Sequence, residues 1–366
     1  MVITFPHMGN IYLAAKITLD GLGLQYVIPP FNNRNTLEIG SRISPEDMCL
    51  PFKIMMGNYI QSIRQGADSI LLVGSRGPCR FGEYPELQYK LLKKAGYDVQ
   101  FVIAKFPEDE DKEMNVESLA TLVKGNGMSK TAMAKALLRG FRSMYLVDYL
   151  EKKAHLNAGY ENHPGDSKKL YKEALQTVFA ENNAGEAFRI LKDYKHKMDA
   201  VPLQKNKRPL KIAIIGEIYT VIEPFSNLNI EDKLMDMGVS TVKKLTPSWW
   251  ISDTIKQFIK LNGLDVIRNA GEYLPVWIGG HARECIAEAV MADSRHFDGA
   301  IQIYPMGCMP EVVARSILPT VSKDKDFPIM SLVVDEMTGE AGYITRIEAF
   351  LDMLERRRTR NSRLKL

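Results

Sequence analysis

At 366 residues the chain is too long for one small core and suits two α/β domains with an insertion. Hydrophobic residues make up 45% and charged residues 25%, which excludes a disordered or fibrous composition. The net charge of +4 is concentrated at one end: 355–366 carries five arginines and a lysine against one glutamate, which leaves the remainder at −1. A nucleic-acid partner would need a basic face on the folded body and is not expected; the basic end reads as a solvated, frayed C-terminus. No apolar run approaches the ~20 residues that span a bilayer, so no membrane partner is expected either. The chain opens on a strand-like stretch with no signal peptide before it, which points to the cytoplasm, where disulfides are uncommon.

Strand and helix signals alternate from the start. An apolar run at 2–5 is followed by helical spacing over 10–22 (Leu13, Ala14, Ile17) and a second strand signal at 25–28. A helix over 52–64, a strand over 69–73, a helix over 85–94 and a strand over 99–104 complete a first lobe, 1–107. Alternation of this kind predicts a mainly parallel sheet covered by helices. An acidic loop, 108–111, opens a segment that reads as helical insert and linker, 108–205, with no clear strand from 115 to 198. Ser129 is the expected N-cap of its long helix, and Gly165-Asp166 breaks the pattern before the next. The glycines of 124–130 lack phosphate-loop spacing and read as a helix–helix turn. A second α/β lobe, 206–366, has strand signals at 211–215, 241–245, 300–304 and 329–334 and a closing helix over 344–357.

Three of the four cysteines share a local setting. Cys79 and Cys308 each follow a predicted strand through a Gly/Pro-containing turn and precede a helix, whereas Cys49 precedes the helix that leads into the Cys79 strand. Cys49-Leu-Pro51 and Cys308-Met-Pro310 repeat one pattern, with proline at a helical start where it is tolerated. Helix starts at the carboxyl edge of a parallel sheet lower thiol pKa values and favour anions, as an iron–sulfur cluster with thiolate ligands is. Spacing alone leaves buried thiols, or zinc on three thiolates and water, as alternatives. Cys285 falls inside an amphipathic helical pattern and reads as an inert core thiol.

Gly77-Pro-Cys-Arg-Phe-Gly-Glu-Tyr84, Tyr304-Pro-Met-Gly-Cys-Met-Pro-Glu311, Asp335-Glu-Met-Thr-Gly-Glu-Ala-Gly342 with Thr345-Arg346 and Glu348-Ala-Phe350, and Gly216-Glu-Ile-Tyr219 with Glu223-Pro-Phe-Ser-Asn227 resemble the activase-related branch of the 2-hydroxyacyl-CoA dehydratase family. The resemblance spans both lobes and is weakest in the insert. It implies two doubly wound, Rossmann- or flavodoxin-like parallel-sheet lobes with a 4Fe-4S cluster between them, bound by Cys49, Cys79 and Cys308. It also implies a partner, an activator ATPase carrying its own iron–sulfur cluster; this chain has no convincing ATP site of its own. A related larger subunit, a homodimer and an acyl-CoA substrate belong to the same expectation. Dehydratases of this family form a ketyl radical from a 2-hydroxyacyl-CoA and eliminate water, while related double-cubane proteins reduce small molecules with more thiolates than this chain offers. The expected function is a dehydratase-like component that accepts low-potential electrons. The alternatives are a non-catalytic electron-transfer or scaffold subunit, or a reductase of small molecules.

Polar residues at the same edges are candidates for moving protons: Glu217 and Glu223 after the first strand of the second lobe, His281 at a helix start, and Asp335 and Glu336 after the last strand. Of these, Glu217, His281 and Glu336 are the catalytic candidates, against the plainer reading of each as a cap, ion pair or loop support. Arg346 divides between partner contact and structural pairing, and Trp249-Trp250 reads as packing.

Overall fold

The computed structural model describes residues 1–73, 79–104, 116–117, 127–204, 206–258 and 263–363. The acidic loop 108–111 and the turn at 124–126 lie outside them. The chain is a mixed α/β protein with two four-stranded parallel sheets, and it divides into two compact units: 1–147 with 174–193, and 148–173 with 194–366. Among the described residues no helix is long and apolar enough to cross a membrane.

In the first unit β1 (Ile3–Thr4), β2 (Ser69–Val73), β3 (Gln100–Ala104) and β4 (Val116–Glu117) lie side by side in that order, all parallel. The strand expected at 25–28 shrinks to a bridge. Tyr26 pairs with Ile3 on the free side of β1, through Ile3 N–H to the Gln25 carbonyl (3.0 Å) and Val27 N–H to the Ile3 carbonyl (2.8 Å). Pro29 and Pro30 follow at once and have no N–H to continue a ladder. β4 is the converse correction: the segment expected to hold no strand opens with one, too short for alternation to reveal.

Helix α1 (Ile11–Leu22) buries Leu13, Ile17, Leu19 and Leu22 and stops at Gly23, which supplies the left-handed C-cap. Helices α2 (Arg34–Ser41) and α3 (Leu50–Arg64) meet backbone to backbone, since a Cβ on Gly57 would sit 1.8 Å from the Thr36 carbonyl oxygen. That contact seats α3, whose N-cap is Cys49, and α4 (Tyr84–Lys94) follows β2. The long helix α5 (Lys130–Asn157) begins behind Ser129, whose Oγ accepts from Ala132 N–H at 3.2 Å. Helices α6 (Asp166–Ala180) and α7 (Ala184–Asp199) follow, and the residues of all three are shared between the two units.

In the second unit the parallel order is β6 (Ser240–Lys243), β5 (Lys211–Gly216), β7 (Gly299–Pro305), β8 (Ile329–Val334). The chain therefore runs from β5 to one side and comes back to its other side. Gly216 ends β5 at φ +134°, where a Cβ would lie 1.9 Å from the Ile303 carbonyl oxygen. Around the sheet are α8 (Ile218–Ile222), α9 (Ile230–Asp236), α10 (Pro247–Phe258), α11 (Leu264–Ala270), α12 (Ala282–Ser294), α13 (Met309–Asp324) and α14 (Glu340–Arg363). Over 355–363 the expected frayed tail is instead the end of α14: Arg357 pairs with Asp326 at 2.6 Å and Arg358 donates to the Arg208 carbonyl at 2.7 Å. Apolar residues Ile347, Leu351 and Leu354 hold that helix down, so its basic end is carried along.

A buried ionic group fixes the second half of α5 to this sheet. Lys243 Nζ lies 2.5 Å from Glu231 Oε2 and 3.2 Å from Glu151 Oε1, and His155 Nδ1 lies 2.9 Å from Glu231 Oε1. Burial opposes each of these charges, but the neighbours outweigh it. Glu231 is held below the carboxylate range by His155 and Lys243, and His155 is raised above its ordinary value by Glu231 and Glu151. Breaking a buried pair leaves a charge uncompensated, which is where its cost lies.

Gly57→Ala is expected to destabilise the protein by about 2 kcal/mol, because α2 and α3 must separate to admit the methyl group; a fall in urea midpoint checks it. His155→Gln should cost about 2 kcal/mol at pH 6, the size of a hydrogen bond to a charged group. Because the folded pKa of His155 lies above its unfolded value, that contribution is complete below about pH 6.5 and fades as pH rises through the folded pKa. Urea titrations of both proteins from pH 5 to pH 9 should show the gap closing upward.

Candidate functional site

The thiols of interest lie where helices begin. Cys49 is the N-cap of α3 with extended backbone (φ −66°, ψ 156°), and Pro51 follows in the first turn. Cys79 has the same role (φ −73°, ψ 132°) for the short 3-10 turn Arg80–Glu83 that leads into α4. Neither sulfur makes a capping hydrogen bond, and both residues are half-buried. The loop before Cys49 and the turn after Cys79 are tied at two points. Arg80 Nη1 donates to the Asp47 carbonyl at 3.0 Å, and the Tyr84 hydroxyl contacts Cys49 Sγ. The Arg80–Asp47 contact is solvated and contributes little energy; the Tyr84 contact is shielded, since Tyr84 is 3% exposed.

In the second unit Cys308 is the N-cap of α13, again extended (φ −71°, ψ 100°), half-buried, without a capping hydrogen bond and followed by Pro310. It leaves the end of β7, the strand beside β5 on the side where the chain order reverses. Glu217 leaves the end of β5 and is occupied: its carboxylate accepts from Tyr219 N–H (3.0 Å), Thr220 N–H (2.8 Å) and Thr220 Oγ1 (2.7 Å), capping α8. His281 stands at the N-cap position of α12 without capping it, its ring 6.1 Å from that of Trp249. Burial pushes the imidazole below its ordinary value, against Glu217 and Asp253, which favour its charge. Glu217 and His281 are thus electrostatic neighbours. Glu336 sits in the turn after β8, where Asp335 accepts from Met337 N–H (2.8 Å) and Thr338 Oγ1 (2.9 Å) to hold the loop. Arg346 donates to the Ser331 carbonyl at 2.9 Å, a structural pairing.

Behind these residues lies a set of buried acids that the sequence does not single out. Gln302 Nε2 donates to Glu311 Oε2 at 2.9 Å and Ser331 Oγ donates to Gln302 Oε1 at 2.7 Å, and Glu311 is an electrostatic neighbour of Cys285. Burial is the main cause that lifts Glu311 and Glu284 to about 7 and Glu288 well above the usual range, with further lift from neighbouring carboxylates. Burial and Glu311 likewise push the Cys285 thiol up, so it stays protonated in the core. At neutral pH Glu288 holds its proton, whereas Glu311 and Glu284, at about 7, are close to half-protonated. The sequence offers one weak signal, a glutamate at Glu288 between the small and apolar runs 285–287 and 289–292.

Among the described residues no three His, Cys, Asp or Glu side chains form a metal-holding group. The donor set nonetheless suits a thiolate-bound anionic group: three thiols at helix starts, each with its side chain unspent on the cap. No protein-family model matches the chain, and no curated protein matches it.

Glu311→Gln should flatten the pH dependence of stability. The folded pKa of Glu311 lies above its unfolded value, so the wild-type protein loses stability as pH rises from about 4.5 through about 7. The amide cannot ionise, and above pH 8 the variant should be relatively more stable by an amount on the order of 3 kcal/mol. Denaturant midpoints at pH 5 and pH 8.5 check the sign.

Proposed function

We propose that this chain is a cytoplasmic iron–sulfur redox protein, a component related to the 2-hydroxyacyl-CoA dehydratases that receives low-potential electrons from a separate activator ATPase. One observation carries the reading: the two sheets repeat a plan and place a cysteine at the same point of it. With the Tyr26 bridge counted as a strand, the first sheet runs bridge-β1-β2-β3, and the second runs β6-β5-β7-β8. Both orders support a doubly wound, flavodoxin-like reading, in which the crevice would lie beside the first strand at the carboxyl edge. In each unit the strand across that reversal, β2 or β7, leads to a half-buried cysteine that starts the next helical turn, Cys79 or Cys308. Cys49, tied to the Cys79 turn through Tyr84 and Arg80, supplies a third thiolate.

These three cysteines are the proposed ligands of one 4Fe-4S cluster, which would accept and pass single electrons. The protein's part is to hold the thiolates at helix N-termini, where backbone dipoles favour their negative charge. His281, which burial holds below its ordinary value, and Glu311 and Glu284, raised to about 7, supply groups that hold or accept a proton at the second sheet's carboxyl edge. Glu217 orients the start of α8 and stands beside His281 rather than acting as a free base.

Anaerobic purification with iron and sulfide analysis tests the reading; about four of each per chain are expected. Cys308→Ser should leave the cluster labile in a folded protein, and Cys285→Ser should keep nearly all of its iron. Zinc in place of iron, or loss of iron only in Cys285→Ser, would overturn the assignment.

A further inference from the structure

We propose that Tyr84 tunes the redox potential at Cys49 by donating its phenolic hydrogen to the Cys49 sulfur; this rests on the iron–sulfur reading above. The two residues belong to different helices of the same unit. Cys49 caps α3 and Tyr84 begins α4, and the hydroxyl of one contacts the sulfur of the other. The tyrosine ring has little freedom to do anything else. It is 3% exposed and packs edge-on against Phe52 (centroids 4.9 Å apart, 84° between planes) and tilted against Phe81 (4.9 Å, 42°). Phe52 lies on the first turn of α3, so the same helix start carries both the sulfur and the ring that aims the hydroxyl at it. A phenol in apolar surroundings keeps a hydrogen-bond partner, because an unpaired buried hydroxyl is costly.

The chemistry sets the direction of the bond. A ligand sulfur is a thiolate with lone pairs only, so the phenol must be the donor. A donor on a ligand sulfur withdraws electron density and stabilises the more negative, reduced state more than the oxidised one. Hydrogen bonds to cluster sulfurs are among the protein's main means of raising a cluster's potential. Tyr84 is thus a positioning and tuning residue rather than a ligand. A mere packing role would survive removal of the oxygen, because Phe keeps the ring.

The test compares wild-type, Tyr84→Phe and Cys49→Ser proteins purified without oxygen, with iron and sulfide content and a spectroscopic redox titration as readouts. Tyr84→Phe should retain its iron but have a lower midpoint potential. Poised at the wild-type midpoint, its ratio of reduced to oxidised cluster should be about tenfold smaller, the effect of losing one charge-assisted hydrogen bond. Cys49→Ser should lose most of its iron. An iron-loaded Tyr84→Phe protein with an unchanged midpoint would overturn this inference and leave the cluster reading standing. A wild-type protein that takes up no iron would overturn both. If Tyr84→Phe does not fold, wild-type protein grown on ring-deuterated tyrosine decides the matter. Deuterium coupled to the spin of the reduced cluster supports the inference, and its absence overturns it.

Discussion

A parallel strand can only be followed by another parallel strand if the chain travels back along the sheet, and here helices make that journey. Every helix that returns the chain starts at the carboxyl edge of the sheet, so the positive ends of their dipoles collect there. In the second sheet the order β6-β5-β7-β8 sends the chain from β5 first to one side and then to the other. The loops after β5 and β7 therefore part, and the groups they carry, Glu217 and Cys308, flank the reversal. The same constraint governs the first sheet, where the Tyr26 bridge and β2 stand on opposite sides of β1. Position at these edges, more than any local motif, is what distinguishes Cys79 and Cys308 from Cys285, which lies inside α12 with a fully buried side chain.

The second unit buries charge in two ways, and the difference follows from pairing. Glu231, Lys243 and His155 each face an opposite charge within 2.5–3.2 Å, with Glu151 a partner of Lys243, and these partners favour the ionised forms against burial. Glu288, Glu284 and Glu311 are raised above the usual carboxylate range chiefly by burial, which outweighs the favourable charge that Lys244 offers Glu288 and Glu284. The first group pins α5 to β6 and is structural. The second lies beside the carboxyl edge and costs the protein stability at high pH, an expense more easily understood for a functional region than for a core. Asp148 is intermediate: burial lifts it to about 6, yet its carboxylate still accepts from Ser248 N–H at 2.8 Å.

Much of the fold was legible because the signals were strong. The strands at 69–73, 211–215, 300–304 and 329–334 are mainly apolar runs between turn residues, broken only by Gln302 and Ser331 in the last two interiors, and β2, β5, β7 and β8 lie on them to within a residue. Legibility failed where an element is short or depends on tertiary contact. β4 is two residues long, and the 25–28 strand is cut to one bridge by the prolines after it. The basic end is polar in sequence and helical in the structure because the apolar face of α14 precedes it. At the site, the cysteine settings could be read from strand–turn–helix order and the Cys-x-Pro repeats. The role of Glu217 could not, since a glutamate two residues before a backbone N–H looks the same whether it caps or faces open solvent. The buried acids were invisible for a related reason: a sequence gives the residue but not its depth.

The contrast between the cysteines shows how depth and direction decide chemistry for one side chain. Cys285 has apolar packing around it and the Glu311 carboxyl group as an electrostatic neighbour, so both burial and Glu311 oppose the thiolate. Cys49 has its neighbours arranged the opposite way. It starts a helix without a side-chain bond to the cap, and its sulfur contacts the Tyr84 hydroxyl, a group that can donate to a negative sulfur. Both residues are cysteines close to a helix of an α/β lobe, and composition cannot separate them. What separates them is whether the neighbouring groups reward or penalise negative charge, and that is also the difference between a sulfur that can bind a cluster and one that fills a core.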